Sequence, residues 1–316
     1  MIAYTAFLLF LIGVFCCVKA TVKFDRILSY LTITAVLMTF ALFLDGMYVG
    51  AEDTLSFVWN SSPSGDIKID IISNAYNYEL VYPFFIATLI MMLGNTVFRL
   101  EKNSGSFNAI VLFNLVAVIL MLTSTNFVQL LAALFITDIL ALFIIKNTQI
   151  SRRYIMMNIL ADMLVFAMIA IINSRIKSLD IRQILRYNQI GFYPDFVAVC
   201  GLTAVFIRFG FFLFHIGICA LKEIRLHGLV SILLLFSPLS ALILLLKFHV
   251  VWQNSQYFLP YLNTMCIVTS VWGLWRCLTV NAYKAKIIYG QMMFWPLLIE
   301  LLRFNGFIWD SRFTAL

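Results

Sequence analysis

Charge is what this sequence has least of. Aspartate, glutamate, lysine and arginine make up 12% of its 316 residues, against roughly 25% in a soluble domain. Apolar residues make up 63% and the mean hydropathy is +0.97. No soluble core of this length hides that much apolar surface, so the chain reads as a polytopic membrane protein. The six cysteines, Cys16, Cys17, Cys200, Cys219, Cys266 and Cys277, fall in or beside apolar runs without metal-ligand spacing. They read as small buried hydrophobes. Walker loop, Rossmann glycine pattern, zinc spacing and haem pair are all missing, which leaves soluble redox or hydrolytic chemistry nowhere to reside. No catalytic, cofactor-binding or metal-binding residue is expected in the chain. The net charge of +7 is spread over loops; it sets topology and gives no case for nucleic acid. The first apolar run, Ala3–Val18, lacks a basic leading segment and a small-residue cleavage site, and reads as a retained helix rather than a signal peptide.

What is there is a series of apolar runs. Most are about 18–25 residues long, the length of membrane helices rather than barrel strands. Ten spans are expected, at about 3–20, 28–50, 81–99, 107–125, 127–146, 154–173, 196–220, 228–250, 257–279 and 286–303. The longest connections are 51–80 and 174–194. The first holds a turn cluster, Asn60 to Gly65, and then Asp66–Ile72, whose alternation suits a short strand or a surface ribbon. The second spaces Arg175, Lys177, Asp180, Arg182 and Arg186 among Ile and Leu, the pattern of an amphipathic helix lying in the interface. Loop lysines and arginines fall about two to one on the face opposite the N-terminus, while Glu52, Asp53, Asp66, Asp70 and Glu79 gather on the N-terminal face. The positive-inside rule then places both termini on the intermembrane-space or periplasmic side.

Five ionisable residues lie within spans: Asp138, Asp162, Arg208, Lys247 and Glu300. A charge at mid-helix costs about 2.5–3.5 kcal/mol or more, so each is a functional candidate by default. Asp138, Asp162 and Arg208 sit near the middle of three consecutive spans, and should turn inward together. Carboxylates and basic groups at one depth are what a proton relay needs, since neighbouring charge tunes each affinity for a proton. Arg208 itself hardly deprotonates; it holds a carboxylate ionised or fixes a structure. A structural ion pair with one charge left over is the competing reading, and a span misplaced by a few residues is a third. Lys247 is near its span's end and can snorkel. Glu300 lies about a turn from its own span's end, where a solvated role is equally open. His215 suits a proton shuttle or a helix-packing histidine. Pro238 and Pro296 should each kink a helix.

The residues of 126–144 (NFVQLLAALFITDILALFI) resemble the fifth helix of the antiporter-like subunits of respiratory complex I, where the family has N-L-L-Q-L-F-x-G-W-E. Asn126, Gln129 and Leu130 match; Ala133, Leu134 and Phe135 stand in place of Gly-Trp-Glu. Asn158 and Asp162 in NILAD are similar to the N-R-x-G-D of helix six. Arg208 and His215 keep the seven-residue spacing of K-S-A-Q-F-P-L-H on helix seven. The run 231–247 is similar to helix eight, although that helix's usual histidine falls near Leu235. Lys284–Tyr289 (KAKIIY) is similar to the K-R-V-L-A-Y that opens helix ten. The span count, and the long loop before the third span, agree with the largest member of the group, of the NADH–quinone oxidoreductase chain 5 or chain L type.

The resemblance implies an all-α fold with one complete five-helix repeat and part of a second, inverted repeat, a known transporter device. The division would be 1–106, with helices one to three and the long loop; 107–250, the first repeat; and 251–316, the partial second repeat. It implies a non-redox subunit of a proton-translocating NADH:ubiquinone oxidoreductase. NADH, FMN, iron–sulfur clusters and ubiquinone would sit elsewhere in that complex. Asp138, Asp162, Arg208, His215, Lys247, Lys284 and Glu300 become relay or ion-pair residues. The family's central glutamate–lysine pair is Phe135 and Arg208 here; Asp138, one turn from Phe135, would replace the lost carboxylate and pair with Arg208. Full-length members are longer, so another chain is expected to supply the missing C-terminal helices, unless the subunit is mainly structural. Partners are then other membrane-arm subunits and phospholipids. The alternatives are a subunit of an Mrp-type cation/proton antiporter or carbon-uptake complex, and a non-conducting membrane scaffold. A Phe-rich chain without a presequence suits the mitochondrial inner membrane, with a bacterial plasma membrane as the other location.

Overall fold

In the computed structural model, residues 1–17, 25–50, 53–62, 65–98, 104–145, 148–176, 178, 180–181, 194–221, 227–252 and 255–304 are described. They are mostly helical, and they divide into two compact units.

The first unit holds α1 (Ile2–Cys17), α2 (Asp25–Val49), strands β1 (Asp53–Ser62) and β2 (Gly65–Ser73), α3 (Ala75–Phe98), α4 (Ser104–Thr123) and most of α5 (Phe127–Ile144). Its centre is α4, which packs on α1, α2 and α3. Within its apolar window 72% of the residues are buried, against 33% in α2 and 39% in α3, so α4 is the core and α2 and α3 the wall. Gly13 lets α1 approach: a Cβ there would stand 2.7 Å from the Phe113 ring. Small residues at such contacts are how membrane helices pack closely. β1 and β2 pair across a two-residue connection, which only an antiparallel hairpin bridges. The expected strand at 66–72 is therefore present, and its partner β1 is an addition that the turn cluster at Asn60 to Gly65 announces. Helix starts are capped by side chains. Asn74 Oδ1 accepts from Asn77 N at 2.8 Å, Ser73 Oγ accepts from Ile2 N at 3.1 Å, and Asn126 Oδ1 accepts from Gln129 N at 2.8 Å. Gln129 Nε2 then donates to Leu120 O of α4 at 3.1 Å. The two polar residues of the helix-five motif thus hold the α4–α5 corner.

The second unit holds the end of α5, α6 (Thr148–Ile176), α7 (Pro194–Phe209), the short α8 (Ile216–Ala220), α9 (His227–Trp252) from Leu234 onward, α10 (Phe258–Thr279) and α11 (Tyr283–Phe304). α6 packs on α7 and α8, and α10 lies along α11 as a helical hairpin. At Gly273 a Cβ would meet the α11 backbone at 2.9 Å, and at Gly201 one would strike the Trp252 indole at 2.3 Å. Both contacts require glycine. Pro83, Pro238 and Pro296 lie inside α3, α9 and α11.

Among the described residues, six helices are long and apolar enough to cross a membrane: Ser29–Val49, Asn77–Phe98, Gly105–Thr123, Phe127–Ile144, Arg152–Ser174 and Tyr283–Arg303. The chain is a multi-pass membrane protein. The expected seventh span, 196–220, is two pieces rather than one helix. α7 ends at Phe209, and the chain turns before α8 begins at Ile216. The interfacial helix expected at 174–194 and the C-terminal tail fall mainly outside the described residues.

Candidate functional site

The break between α7 and α8 positions the site. Its first half is a Schellman motif. Phe211 N donates to Phe206 O at 2.9 Å, Gly210 N donates to Ile207 O at 3.0 Å, and Gly210 takes φ +69°. The flanking apolar contact of that motif is the Phe206–Phe211 stack, with ring centroids 5.1 Å apart. Only glycine fits here, because a Cβ would also lie 2.3 Å from Ile218 Cδ1. Leu213 carries a second positive φ, +76°.

A helix that stops inside an apolar region leaves backbone groups to satisfy. Two neighbouring helices do so. Ser237 Oγ of α9 donates to Arg208 O at 3.2 Å, and Thr269 Oγ1 of α10 accepts from Phe212 N at 3.1 Å.

Arg208 sits in the last turn of α7, where the helix dipole favours a cation. Its side chain is fully buried, and it forms a salt bridge through Nη2 to Asp162 Oδ1 of α6, itself 1% exposed. Nη1 donates to Ser240 Oγ at 3.1 Å, and Ser240 Oγ donates to Ser237 O at 2.7 Å. One arginine thus joins α6, α7 and α9. Asp162 Oδ2 is buried and has no hydrogen-bond partner among the described residues. The carboxylate therefore has one oxygen engaged by the guanidinium and one unspent acceptor. Asn158, one turn before Asp162, is buried as well.

Of the residues singled out in the sequence, the structure brings Asp162 and Arg208 together. Asp138 is buried on α5 in the first unit, while Phe135, where the resemblance expects a glutamate, is 45% exposed. His215 precedes α8. Its ring stacks on Phe212 at 6.2 Å and 9° and lies 6.1 Å from Trp272; Nδ1 is buried without a hydrogen-bond partner among the described residues. Lys247 is half-buried on α9, and two residues on, His249 is 1% exposed with Nδ1 2.8 Å from Leu246 O. Lys284 is half-buried in the first turn of α11. Glu300 pairs with Arg303 at 3.0 Å, and Arg303 also donates to Asn263 of α10. Sequence reasoning missed Ser237, Ser240, Thr269 and Gly210. A Ser-Pro-Leu-Ser run inside an otherwise leucine-rich span was the available signal for the first two.

The sequence matches no family model. No curated protein matches it either. Solved structures do. A chain of the Mrp complex from Dietzia sp. DQ12-45-1b superposes with a TM-score of 0.82 at 14% identity, covering 94% of this chain and 33% of that one. A chain of respiratory complex I from Thermus thermophilus with bound NADH gives 0.77 at 13%, covering 94% and 63%. A chain of the membrane-bound sulfane sulfur reductase, an archaeal respiratory membrane complex, gives 0.73 at 13%, covering 92% and 49%. The chain shares its fold with chains of these three complexes, and it spans between a third and just under two thirds of the chains it superposes on.

Proposed function

We propose that this chain is an antiporter-like subunit of a complex I membrane arm and takes part in moving protons across the bilayer. The observation that supports the reading most directly is the buried Asp162–Arg208 pair seated at a broken helix. Discontinuous helices whose ends face charged groups are the usual construction of transporter sites. Asp162 offers two states. Ionised, it holds Arg208. With a proton placed on the unspent Oδ2, the attraction to the guanidinium falls and the pair loosens, so proton occupancy and the geometry of α6, α7 and α9 change together. Arg208 stays charged throughout; Asp162 is the member that carries the proton. Asp138, His215, Lys247, Lys284 and Glu300 are proposed as further steps or as supporting charges.

The reading extends to the assembly. Other membrane subunits are the partners. NADH, FMN, iron–sulfur clusters and ubiquinone belong to other parts of such a complex, and the preferred site is the mitochondrial inner membrane with both termini on the intermembrane-space side. An Mrp-type cation/proton antiporter subunit is the second reading, favoured by the TM-score of 0.82 to the Mrp chain against 0.77 to the complex I chain.

Proton movement in vesicles carrying the assembled complex tests the site. Asp162→Asn and Arg208→Ala are each expected to reduce it at least tenfold while assembly persists. Unchanged proton transfer in well-assembled complexes of both variants leaves the pair a structural tie and removes the relay.

A further inference from the structure

Arg276, in the last turn of α10, is held differently from Arg208. Its Cζ lies 5.8 Å from the Trp272 ring centroid, 5.8 Å from Trp275 and 5.3 Å from Tyr289, with Nη2 3.5 Å from the Tyr289 hydroxyl. Among the described residues no carboxylate pairs with it. Three aromatic faces orient a guanidinium without neutralising it, so the charge is fixed in place and its donors remain available. Tyr289 lies six residues inside the membrane-crossing stretch of α11, which opens at Tyr283. That is a depth of about 9 Å, within reach of the headgroup layer for an arginine that snorkels.

The surroundings have the composition of a membrane interface. Lys286 is exposed in the first turns of α11, and Cys277 Sγ of α10 lies 3.7 Å from its carbonyl oxygen, so α11 carries this lysine alongside the end of α10. Lys284 is half-buried one residue pair earlier. Trp275 is 52% exposed, Leu278 74% and Tyr283 77%. Cations, exposed aromatics and exposed aliphatic surface thus share the hairpin tip. A free anion has no use for the apolar part, and an apolar ligand has none for the charge. A phosphodiester on acyl chains uses both.

We infer that the tip of the α10–α11 hairpin binds an anionic phospholipid, Arg276 and Lys286 taking the phosphodiester and Trp275 and Leu278 lying along the acyl chains. The site stands on the membrane-spanning character of α11 and is independent of whether Asp162 carries protons. It also places this tip at the anionic leaflet.

The test uses the full chain in phosphatidylcholine bilayers doped with a minor fraction of phosphatidylglycerol brominated on its acyl chains. Trp272 and Trp275 report contact through fluorescence quenching, with brominated phosphatidylcholine as the reference. Quenching by the anionic lipid is expected to exceed the reference several-fold at equal mole fraction, to fall to it in an Arg276→Gln/Lys286→Gln variant, and to return in part in Arg276→Lys. Trp275→Phe should remove much of the signal. Equal quenching by both lipids in the natural chain overturns the proposal, as does a preference that survives the double substitution. Abolition of the preference by millimolar inorganic phosphate overturns it in favour of a free-anion site. Loss of a co-purifying protein in the double variant, with lipid quenching unchanged, overturns it in favour of an acidic protein partner. Circular dichroism of each variant checks that the helices persist.

Discussion

At the scale of single residues, the Asp162–Arg208 pair decides most. Both side chains are buried and each is the other's counter-charge. Removing one partner of such a pair strands a charge and costs about 3–5 kcal/mol, whereas replacing both with apolar residues of similar volume is often near neutral. Asp162→Leu alone should therefore lower the thermal midpoint of the purified chain sharply, and adding Arg208→Met should recover most of the loss without restoring proton transfer. A double variant no more stable than the single one would contradict the pairing. Ser240→Ala belongs to the same scale. It removes the acceptor of Arg208 Nη1 and should cost about 1–3 kcal/mol, the penalty for an unmet donor in a buried site. The sequence set Asp138, Asp162 and Arg208 at similar depth and offered Asp138 as the partner of Arg208; the structure pairs Arg208 with Asp162, because α6 packs against α7. The serines were not legible in the sequence. A hydroxyl in a run of leucines changes hydropathy little, and its role appears only once α9 lies beside Arg208. Phe135 and Asp138 show the converse: the sequence signalled a lost carboxylate at one position, and the helix exposes that position while burying Asp138 one turn on.

The same arginine gains its place from an element that apolar-run reading alone does not resolve. Residues 196–220 form one long hydrophobic stretch, and the chain nevertheless stops a helix in its middle. Gly210 is the lone breaker in Phe-Gly-Phe-Phe-Leu-Phe, and phenylalanines on both sides keep the hydropathy high through the break. What ends α7 is a satisfied Schellman turn, with Ser237 and Thr269 from other helices meeting the remaining backbone groups. Those partners are distant in sequence, so the break is a tertiary fact. Gly210→Ala should cost about 1–3 kcal/mol through its positive φ, with more from the clash with Ile218 Cδ1. The measurement is the thermal midpoint of the chain together with trypsin susceptibility around the break. A substitution without effect on either would mean that the turn is not held as described. Elsewhere the elements were readable. The strand at 66–72 alternates as strands do. The resemblance singled out Asn126 and Gln129 as a motif, and the hydrogen bonds supply the reason: they hold the corner between α4 and α5.

For the whole molecule, a fold superposes at TM-scores of 0.73 to 0.82 where identity is 13–14%. The physical reason is that a membrane helix asks mainly for length and apolarity, which many residues supply, so sequence drifts while helix order and packing hold. Only capping residues, close-approach glycines and intramembrane charges are constrained individually. Which assembly the chain serves is a question of its neighbours rather than its fold. If it belongs to a complex I arm, an affinity-tagged chain extracted gently from native membranes should carry flavin and iron in fixed proportion. NADH oxidation in vesicles of that preparation should then acidify the lumen, and Asp162→Asn should leave the flavin and iron content unchanged while reducing the acidification. If it belongs to an Mrp-type antiporter, neither group should co-purify, and proton movement should follow an imposed sodium gradient. The first outcome separates redox-driven pumping from cation exchange by content as well as by activity. It therefore still discriminates when substitution of Asp162 has silenced transport in both settings.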